Sequence, residues 1–113
     1  DCGDNSILTS VNVLNDGKLQ SLRTDNTSIS TMIDLSTNSN LATLSMDNNR
    51  LTTFSAPYCT KLANLSLSNN QLTSITLTNN TELKNIDVDN NQLTSLNLSS
   101  HPGIELFTQF TDG

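Results

Sequence analysis

The sequence lacks the residues that fill a wide globular core. It contains no tryptophan, and only 4% of its 113 residues are aromatic and 34% are hydrophobic in all. A chain of this length forms one domain at most. Because large side chains are so scarce, the folded chain must have a narrow core.

Basic residues are scarce too. Five Lys and Arg residues are scattered among a total of eleven Asp and Glu residues, which gives a net charge of −6 and a pI of about 4.2. Nucleic-acid binding requires clustered Lys and Arg that contact phosphates, and anionic membrane surfaces attract the same residues. No apolar run approaches the roughly 18 residues of a membrane helix. We therefore expect no nucleic-acid partner and no membrane insertion.

The residues that most often carry catalysis are rare. His101 is the one histidine and stands beside Pro102, and the sequence has no glycine-rich phosphate loop and no metal-spaced group of Cys and His. No nucleophile, base and orienting group can be assembled from this spacing. The sequence therefore predicts a protein that is not an enzyme, with no catalytic residue and no cofactor.

What the chain does contain is a short repeat. The segment from Leu62 to Glu82 reads LANLSLSNNQLTSITLTNNTE, in which one apolar spacing occurs twice and is followed each time by an asparagine pair. Its apolar positions are Leu62, Leu65, Leu67, Leu72, Ile75 and Leu77. The segments that start at Leu41 and Leu83 follow the same pattern in register. A fixed short period indicates a repeat architecture, and periodic leucines argue against the disorder that a polar composition can signal.

Each repeat predicts two short strands. The runs 65–67 and 75–77 alternate apolar and polar residues, as half-buried strands do, and the clusters of Asn, Ser and Thr after them turn the chain. One coil buries only about six apolar side chains, which cannot offset the entropy lost in ordering it, so coils must stack on one another. We predict a β-rich solenoid with two ladders of short parallel strands and little or no helix.

The repeat divides the whole chain, 1–113, into a single solenoid of about five coils of 21–22 residues. The predicted coils are 19–40, 41–61, 62–82 and 83–103, with partial coils at 4–18 and 104–113. Ile104 begins the last one, with Phe107 at its second apolar position. The coil at 19–40 is irregular, because one extra residue near 31–33 predicts a bulge and Thr24 occupies an inward position. Residues 1–3 match no repeat position.

The two cysteines are expected to be unpaired. If coils stack at strand spacing, Cys2 and Cys59 lie roughly two coils apart on different sides of the solenoid. That separation exceeds the Cα distance of about 7 Å that a disulfide can bridge. A disulfide would form only if the N-terminal residues folded back.

The run L-x-x-L-x-L-x-x-N-x-L resembles the leucine-rich repeat, and it occurs at Leu62, Leu65, Leu67, Asn70 and Leu72. It recurs in the coils that begin at Leu41 and Leu83, and the second half of each coil echoes the first. Over roughly residues 4–110 the pattern is similar to the short bacterial class with nested half-repeats, the IRREKO type, and to internalin-like surface proteins. The resemblance implies an inward column of Asn49, Asn70 and Asn91 that bonds the backbone of adjacent coils. The irregular coil has Asn26 and Thr27 at these places, so we predict a break in the column there.

The resemblance also implies that ligands bind the outward side chains of the first strand in each coil. These candidate residues are Arg23, Asp25, Ser45, Asp47, Ser66, Ser68, Asp87 and Asp89. Binding hot spots are usually Trp, Tyr or Arg, and only Arg23 qualifies, so a merely solvated face is the competing interpretation. Asp25 and Asp47 would lie on adjacent coils, where Ca²⁺ could relieve the repulsion of their carboxylates. Because Ser68 interrupts that column and the six to eight oxygen ligands of a calcium site are not evident, we favour the absence of any cofactor, with calcium binding as the alternative.

The second strand of each coil carries a ladder of hydroxyl groups. Its members are Thr9, Ser10, Ser30, Thr31, Thr52, Thr53, Thr73, Ser74, Thr94 and Ser95. Flat ranks of Thr can order water or meet a sugar or an ice surface. Strand propensity and cross-strand contacts between Thr residues explain the ladder without a ligand, and we favour that interpretation.

One coil departs from the repeat at Phe54, Pro57, Tyr58 and Cys59. Phe54 replaces a core leucine and is expected to be buried. Tyr58 and Cys59 lie in a turn where other coils carry Asn or Ser. Tyr58 is therefore either a candidate aromatic contact for a ligand or a plain turn residue.

Two functions fit this sequence. The first is a non-enzymatic binding or adhesion module of a bacterial repeat protein, extracellular or on the cell surface, with a protein or glycan ligand. The second is a structural protomer that stacks end to end with copies of itself, through unpaired strand edges at open solenoid ends, into a filament or surface layer.

Overall fold

A computed structural model describes residues 1–106. Seven short strands follow one another: β1 (Ser21–Arg23), β2 (Thr43–Ser45), β3 (Thr53–Ser55), β4 (Asn64–Ser66), β5 (Ser74–Thr76), β6 (Asn85–Asp87) and β7 (Glu105–Leu106). The first sheet is parallel and has the order β1-β2-β4-β6-β7, and the second sheet pairs β3 with β5 in parallel. Residues 1–106 contain no helix, and hence none of the length and apolarity needed to cross a membrane.

The strand register confirms the predicted solenoid. Leu22 lies opposite Leu44, Leu44 opposite Leu65, and Leu65 opposite Ile86, so successive coils are 22, 21 and 21 residues long. About three coils are regular, those beginning at 41, 62 and 83, which is fewer than the five predicted. The difference arises because the predicted number also included the irregular coil at 19–40 and the partial coils that flank the regular ones.

The core is a narrow row of stacked side chains between the two strand ladders. Leu44, Leu62 and Leu72 are fully buried, and Phe54 is buried as predicted. In the strands of the second sheet the apolar residue points inward while its Thr and Ser neighbours are exposed. The alternation of apolar and polar residues in the sequence therefore gives each short strand its inward and outward sides.

An asparagine turns the chain after each of four strands of the first sheet, β1, β2, β4 and β6. Asn26, Asn48, Asn69 and Asn90 have φ angles of 57°, 55°, 55° and 53°. This left-handed conformation is uncommon for residues other than Gly, and Asn is enriched among the exceptions. The repeated asparagines thus let the backbone reverse without a glycine.

The irregular coil has the predicted extra residue. Arg50 N–H donates to Ile29 O and Ala56 occupies the level of Leu35, so the added residue lies between Ile29 and Leu35. The chain bends at Thr31 instead of forming a strand. Thr24 is fully buried, and within the described part of the chain its Oγ1 has no hydrogen-bond partner.

The expectation that residues 1–3 match no repeat position was wrong for Cys2 and Gly3. Cys2 N–H donates to Arg23 O over 3.0 Å and Asp4 N–H donates to Asp25 O over 2.8 Å. Asp4 also shares the left-handed φ of the turn asparagines, at 57°. These residues therefore continue the stacking on the N-terminal side of β1. The sequence concealed this because Cys2 and Gly3 do not resemble the apolar and acidic residues at the same positions of later coils.

The last strand differs from the prediction in register. Leu106 lies opposite Ile86, a spacing of 20 residues, whereas the repeat places Phe107 there. The segment before β7 contains Pro102 and Gly103, which depart from the repeat. Phe107 itself lies outside the described residues, as does the remainder of the predicted partial coil.

Candidate functional site

The outward side of the first sheet forms one shallow depression that extends over four successive coils. Its volume is about 320 Å³. Five of the predicted ligand-face residues line it, namely Arg23, Ser45, Asp47, Ser66 and Asp87, together with Asn64 and Asn85. The predicted residues Asp25, Ser68 and Asp89 do not line it.

Two aspartates on this side bind the next coil. Asp25 Oδ1 accepts hydrogen bonds from Ser45 Oγ, at 2.6 Å, and from Asp47 N, at 2.9 Å. Asp47 Oδ1 does the same one coil further on, with Ser66 Oγ at 2.7 Å and Ser68 N at 2.8 Å. These aspartates therefore hold adjacent coils together, and they are only partly available to a ligand.

The same contacts correct the prediction for Ser45 and Ser68. Both were expected to point outward into solvent, but Ser45 is 7% exposed and Ser68 is 9% exposed. Asp25 of the preceding coil covers Ser45. In the same way, Asp47 accepts a hydrogen bond from the backbone N–H of Ser68 in the coil that follows it. Alternation along a strand shows which side a residue faces, but it does not show whether a side chain from the next coil covers it.

The remaining charged residues of the face form local contacts. Arg23 Nη2 and Asp25 Oδ2 form a salt bridge of 3.0 Å, with the arginine side chain 58% exposed. Asp89 N–H donates to Asp87 Oδ1 over 3.0 Å, and both aspartates are half-buried. Apart from the paired Arg23, the charges of the face are negative.

The carboxylates of Asp25 and Asp47 each accept hydrogen bonds from donors in the following coil. Ser45 Oγ and Asp47 N–H both donate to Asp25, and hydrogen bonding of this kind relieves the repulsion that suggested Ca²⁺. Within residues 1–106 no three His, Cys, Asp or Glu side chains lie together in a group that could hold a metal ion.

The inward asparagine column is confirmed. Asn70 Oδ1 accepts the backbone N–H of Leu51 at 2.9 Å, and its Nδ2 donates to Met46 O at 2.9 Å and Leu67 O at 3.1 Å. Asn49 and Asn91 make equivalent bonds in their coils. The column ends at Thr27, whose hydroxyl contacts Thr24 O and Asn49 Oδ1 but bonds no residue of the preceding coil.

A second buried polar column, which we did not predict, runs through the other turn. It consists of Asn38, Cys59, Asn80 and His101, all buried and spaced by 21 residues. Asn80 Nδ2 donates to Ala56 O and Cys59 O, both at 3.0 Å. His101 Nε2 lies 3.1 Å from Asn80 O and therefore carries the hydrogen, since a carbonyl oxygen only accepts. The equal spacing was the available signal, but the four residues include three different amino acids.

Both cysteines are free, as expected. Cys59 is fully buried, and this burial raises the pKa of its thiol. Cys59 occupies a position that Asn38 and Asn80 fill in neighbouring coils. A buried neutral thiol there acts as a small apolar residue.

Tyr58 lies at the edge of a separate small pocket on the turn after β3. The Tyr58 side chain is 59% exposed. It lines this pocket with Ile33, Asp34, Leu35, Ser36 and Ala56. The predicted aromatic contact is thus accessible and lies outside the depression of the first sheet.

The hydroxyl ladder lies on the surface. All ten of its predicted members are exposed, and Thr73 stacks on Thr52 through a backbone hydrogen bond of 3.0 Å. The outward residues of β3 and β5 add further hydroxyl groups, those of Ser55 and Thr76.

The stacked parallel strands on two sides and the buried asparagine column define a leucine-rich-repeat solenoid. The functional domain of InlJ from Listeria monocytogenes, an internalin that includes a cysteine ladder, is similar in structure, with a TM-score of 0.87 and 31% sequence identity over 94% of this chain. The present chain spans 24% of that InlJ chain. Comparison with protein-family models and with curated proteins gave no match.

Proposed function

We propose that this chain is a non-enzymatic binding module of a bacterial surface or secreted protein, and that it binds a protein or glycan through the first sheet. The observation that carries the proposal is the single depression that extends over four coils of that sheet. A surface built from several coils offers one partner many side chains on a rigid frame. Similarity to the InlJ domain supports the same class of function and location.

We also propose that the chain is of the nested, IRREKO-type class. The support is that each half of a coil contributes its own buried polar column. Asn70 belongs to the first column and Asn80 to the second. The two halves thus use the same kind of amide-to-backbone bond at equivalent turns.

The proposed binding face can be tested with two matched substitutions. Asn64 is the first residue of β4 in the depression, and Ser74 is the first residue of β5 in the second sheet; both are exposed. We expect the fluorescently labelled chain to bind saturably to intact mammalian or bacterial cells in flow cytometry. Asn64→Arg should weaken this binding at least tenfold, and Ser74→Arg should leave it unchanged.

The same measurement identifies the class of ligand. Binding that is lost after the cells are treated with protease indicates a protein partner, and binding that is lost after periodate oxidation indicates a glycan. Equal binding by wild type and Asn64→Arg, with both chains folded, would contradict the assignment to the first sheet. Absence of saturable binding to every cell type tested would contradict the binding function itself.

End-to-end assembly remains a second candidate, because the N-terminal coil exposes apolar side chains. Ile7 is 86% exposed and Leu14 is 39% exposed, and exposed large apolar side chains of one coil are candidates for contact with another copy of the chain. Light scattering should then show an average mass that rises with concentration, and electron microscopy should show fibres. Replacing Ile7 and Leu14 by Asn should suppress both effects. A wild-type chain that stays monomeric at all concentrations would exclude this function.

A further inference from the structure

The Tyr58 pocket lies at the place where one coil departs from the repeat. In the register of the second sheet, Phe54 lies opposite Ile75 and Ser55 opposite Thr76, so Ala56 takes the place of Leu77 and Tyr58 that of Asn79. On the other side of this coil, Leu35 is at the same level as Ala56. A small residue thus stands between two leucines, and an aromatic residue stands two positions after it.

These replacements give the pocket an apolar floor. Ile33, Leu35 and Ala56 line it and are each less than 8% exposed. Its volume is about 150 Å³, whereas sites for drug-sized ligands are roughly 300 Å³ or larger. The pocket therefore suits one side chain of a partner rather than a large ligand.

The rim supplies an aromatic face and a negative charge. Tyr58 forms one wall and Asp34 lies on the rim with Ser36. Hydrogen bonds from the side chain and the backbone of Ser36 lower the pKa of the Asp34 carboxyl, and the backbone N–H of Ser36 lies 3.0 Å from Asp34 Oδ1. Asp34 is therefore ionised at neutral pH, in a chain whose net charge is −6.

We propose that the Tyr58 pocket binds one arginine side chain of a partner protein. An arginine stem can cover the apolar floor while its charged end stays near water. Its planar guanidinium stacks on an aromatic ring and pairs with a carboxylate, and Tyr58 and Asp34 offer these two groups. The inference rests on the proposed function in that the partner is a protein, but it places an anchoring contact outside the first sheet.

A solution NMR titration of the whole chain with N-acetyl-L-arginine amide tests this inference. We expect saturable shifts centred on Tyr58, Ala56 and Asp34. The neutral analogue N-acetyl-L-citrulline amide should bind at least tenfold more weakly, because it keeps the shape and removes the charge. Saturable binding of methyl glucoside in the same pocket without binding of the arginine probe would overturn the proposal, as would equal binding of arginine and citrulline.

The repeat itself supplies the variants. Ala56→Leu restores the residue found at Leu77 and should fill the pocket, and Tyr58→Asn restores the residue found at Asn79. Each should weaken arginine binding at least tenfold, whereas Ser74→Ala should not change it. Tyr58 is exposed, so Tyr58→Asn decides the question if Ala56→Leu fails to fold. A folded Tyr58→Asn chain that binds arginine like the wild type would overturn the proposal.

The titration also separates this inference from the proposed function. Asn64→Arg alters the first sheet and leaves the Tyr58 pocket intact. We expect this variant to lose cell binding and to keep arginine binding. Loss of cell binding in Asn64→Arg together with no arginine binding in the wild type would leave the first-sheet function in place and refute the pocket.

Discussion

Two identical neighbours, Asn69 and Asn70, perform different tasks. Asn69 is exposed and takes a left-handed φ of 55°, so its role depends on backbone conformation. Asn70 is buried and bonds Leu51 N–H through its oxygen and Met46 O through its nitrogen. An amide is suited to both tasks, because it tolerates positive φ and carries a donor and an acceptor on one short side chain.

Replacing each of these asparagines by glycine should separate the two tasks. Asn70→Gly leaves the buried N–H of Leu51 without an acceptor, and an unsatisfied buried group costs about 1–3 kcal/mol. With the Met46 carbonyl also affected, we expect Asn70→Gly to lower the free energy of unfolding by about 2–4 kcal/mol. Asn69→Gly keeps the left-handed conformation, which glycine adopts readily, and should change the free energy of unfolding by less than about 0.5 kcal/mol. Urea unfolding measures both values, and equal losses would contradict the assignment.

Ionisation of the Cys59 thiol makes the free energy of unfolding depend on pH in the alkaline range. Burial raises the pKa of this thiol in the folded chain, whereas the thiol of the unfolded chain has a pKa of about 8.5. Above that pH the unfolded chain ionises first and is therefore stabilised relative to the folded chain. The contribution of the neutral Cys59 thiol to the stability of the fold is complete below about pH 8.5 and is lost as the pH rises through the pKa of the folded chain. We expect the wild type to lose more stability than Cys59→Ala between pH 7 and pH 9.5. Urea unfolding under reducing conditions at both pH values checks this, and parallel losses in the two proteins would contradict it.

At the scale of strands and coils, the periodic residues were predictable from the sequence and the irregular ones were not. The leucine spacing determines which residues of β2 and β4 face the core, and the register of Leu44 with Leu65 follows from it. The burial of Ser45 depends on the Asp25 side chain of another coil, which local alternation does not encode. The second buried column escaped prediction because its members differ chemically while sharing one position.

The extra residue of the irregular coil either interrupts the second strand ladder without stabilising the fold or stabilises this coil. Deleting the residue distinguishes the two. Thr31 is exposed and lies in a bend outside any strand. Deleting Thr31 restores a coil of 21 residues and should change the free energy of unfolding by no more than about 1 kcal/mol. Deleting Ser74 from β5 should instead unfold much of the chain, because a shift of one residue moves the apolar side chains of a strand to its outer side. Circular dichroism and urea unfolding measure both deletions. Severe destabilisation by the Thr31 deletion would show that the bulge stabilises the coil.

At the scale of the whole molecule, the face that carries the depression also contributes bonds that hold the coils together. Asp47 lines the depression and accepts hydrogen bonds from Ser66 and Ser68 of the next coil. A ligand that competed for this carboxylate would weaken the contact between the coils. An exposed residue such as Arg23, whose side chain pairs with Asp25 of its own coil, can contact a partner without that cost. The position of the depression followed from the repeat, whereas this division between structural and accessible residues required the contacts between coils.

Stacking in one dimension also predicts how stability varies along the chain. Leu67 N–H donates to Asp87 O over 2.8 Å in the middle of the stack, and Asp4 N–H donates to Asp25 O over the same 2.8 Å at its N-terminal side. The two bonds have equal lengths, but β4 is paired on both sides, whereas the coil of Asp4 rests on the irregular coil and exposes Ile7. In a repeat protein each coil is stabilised chiefly by its neighbours, so local opening is easier where a coil packs on fewer regular neighbours. We expect native-state hydrogen exchange to be at least tenfold slower at Leu67 than at Asp4, which corresponds to about 1.4 kcal/mol.

The amide of Met46, also in the interior of the stack, serves as the control and should exchange like that of Leu67. Equal exchange rates at Asp4, Met46 and Leu67 would show that the solenoid opens only as a whole.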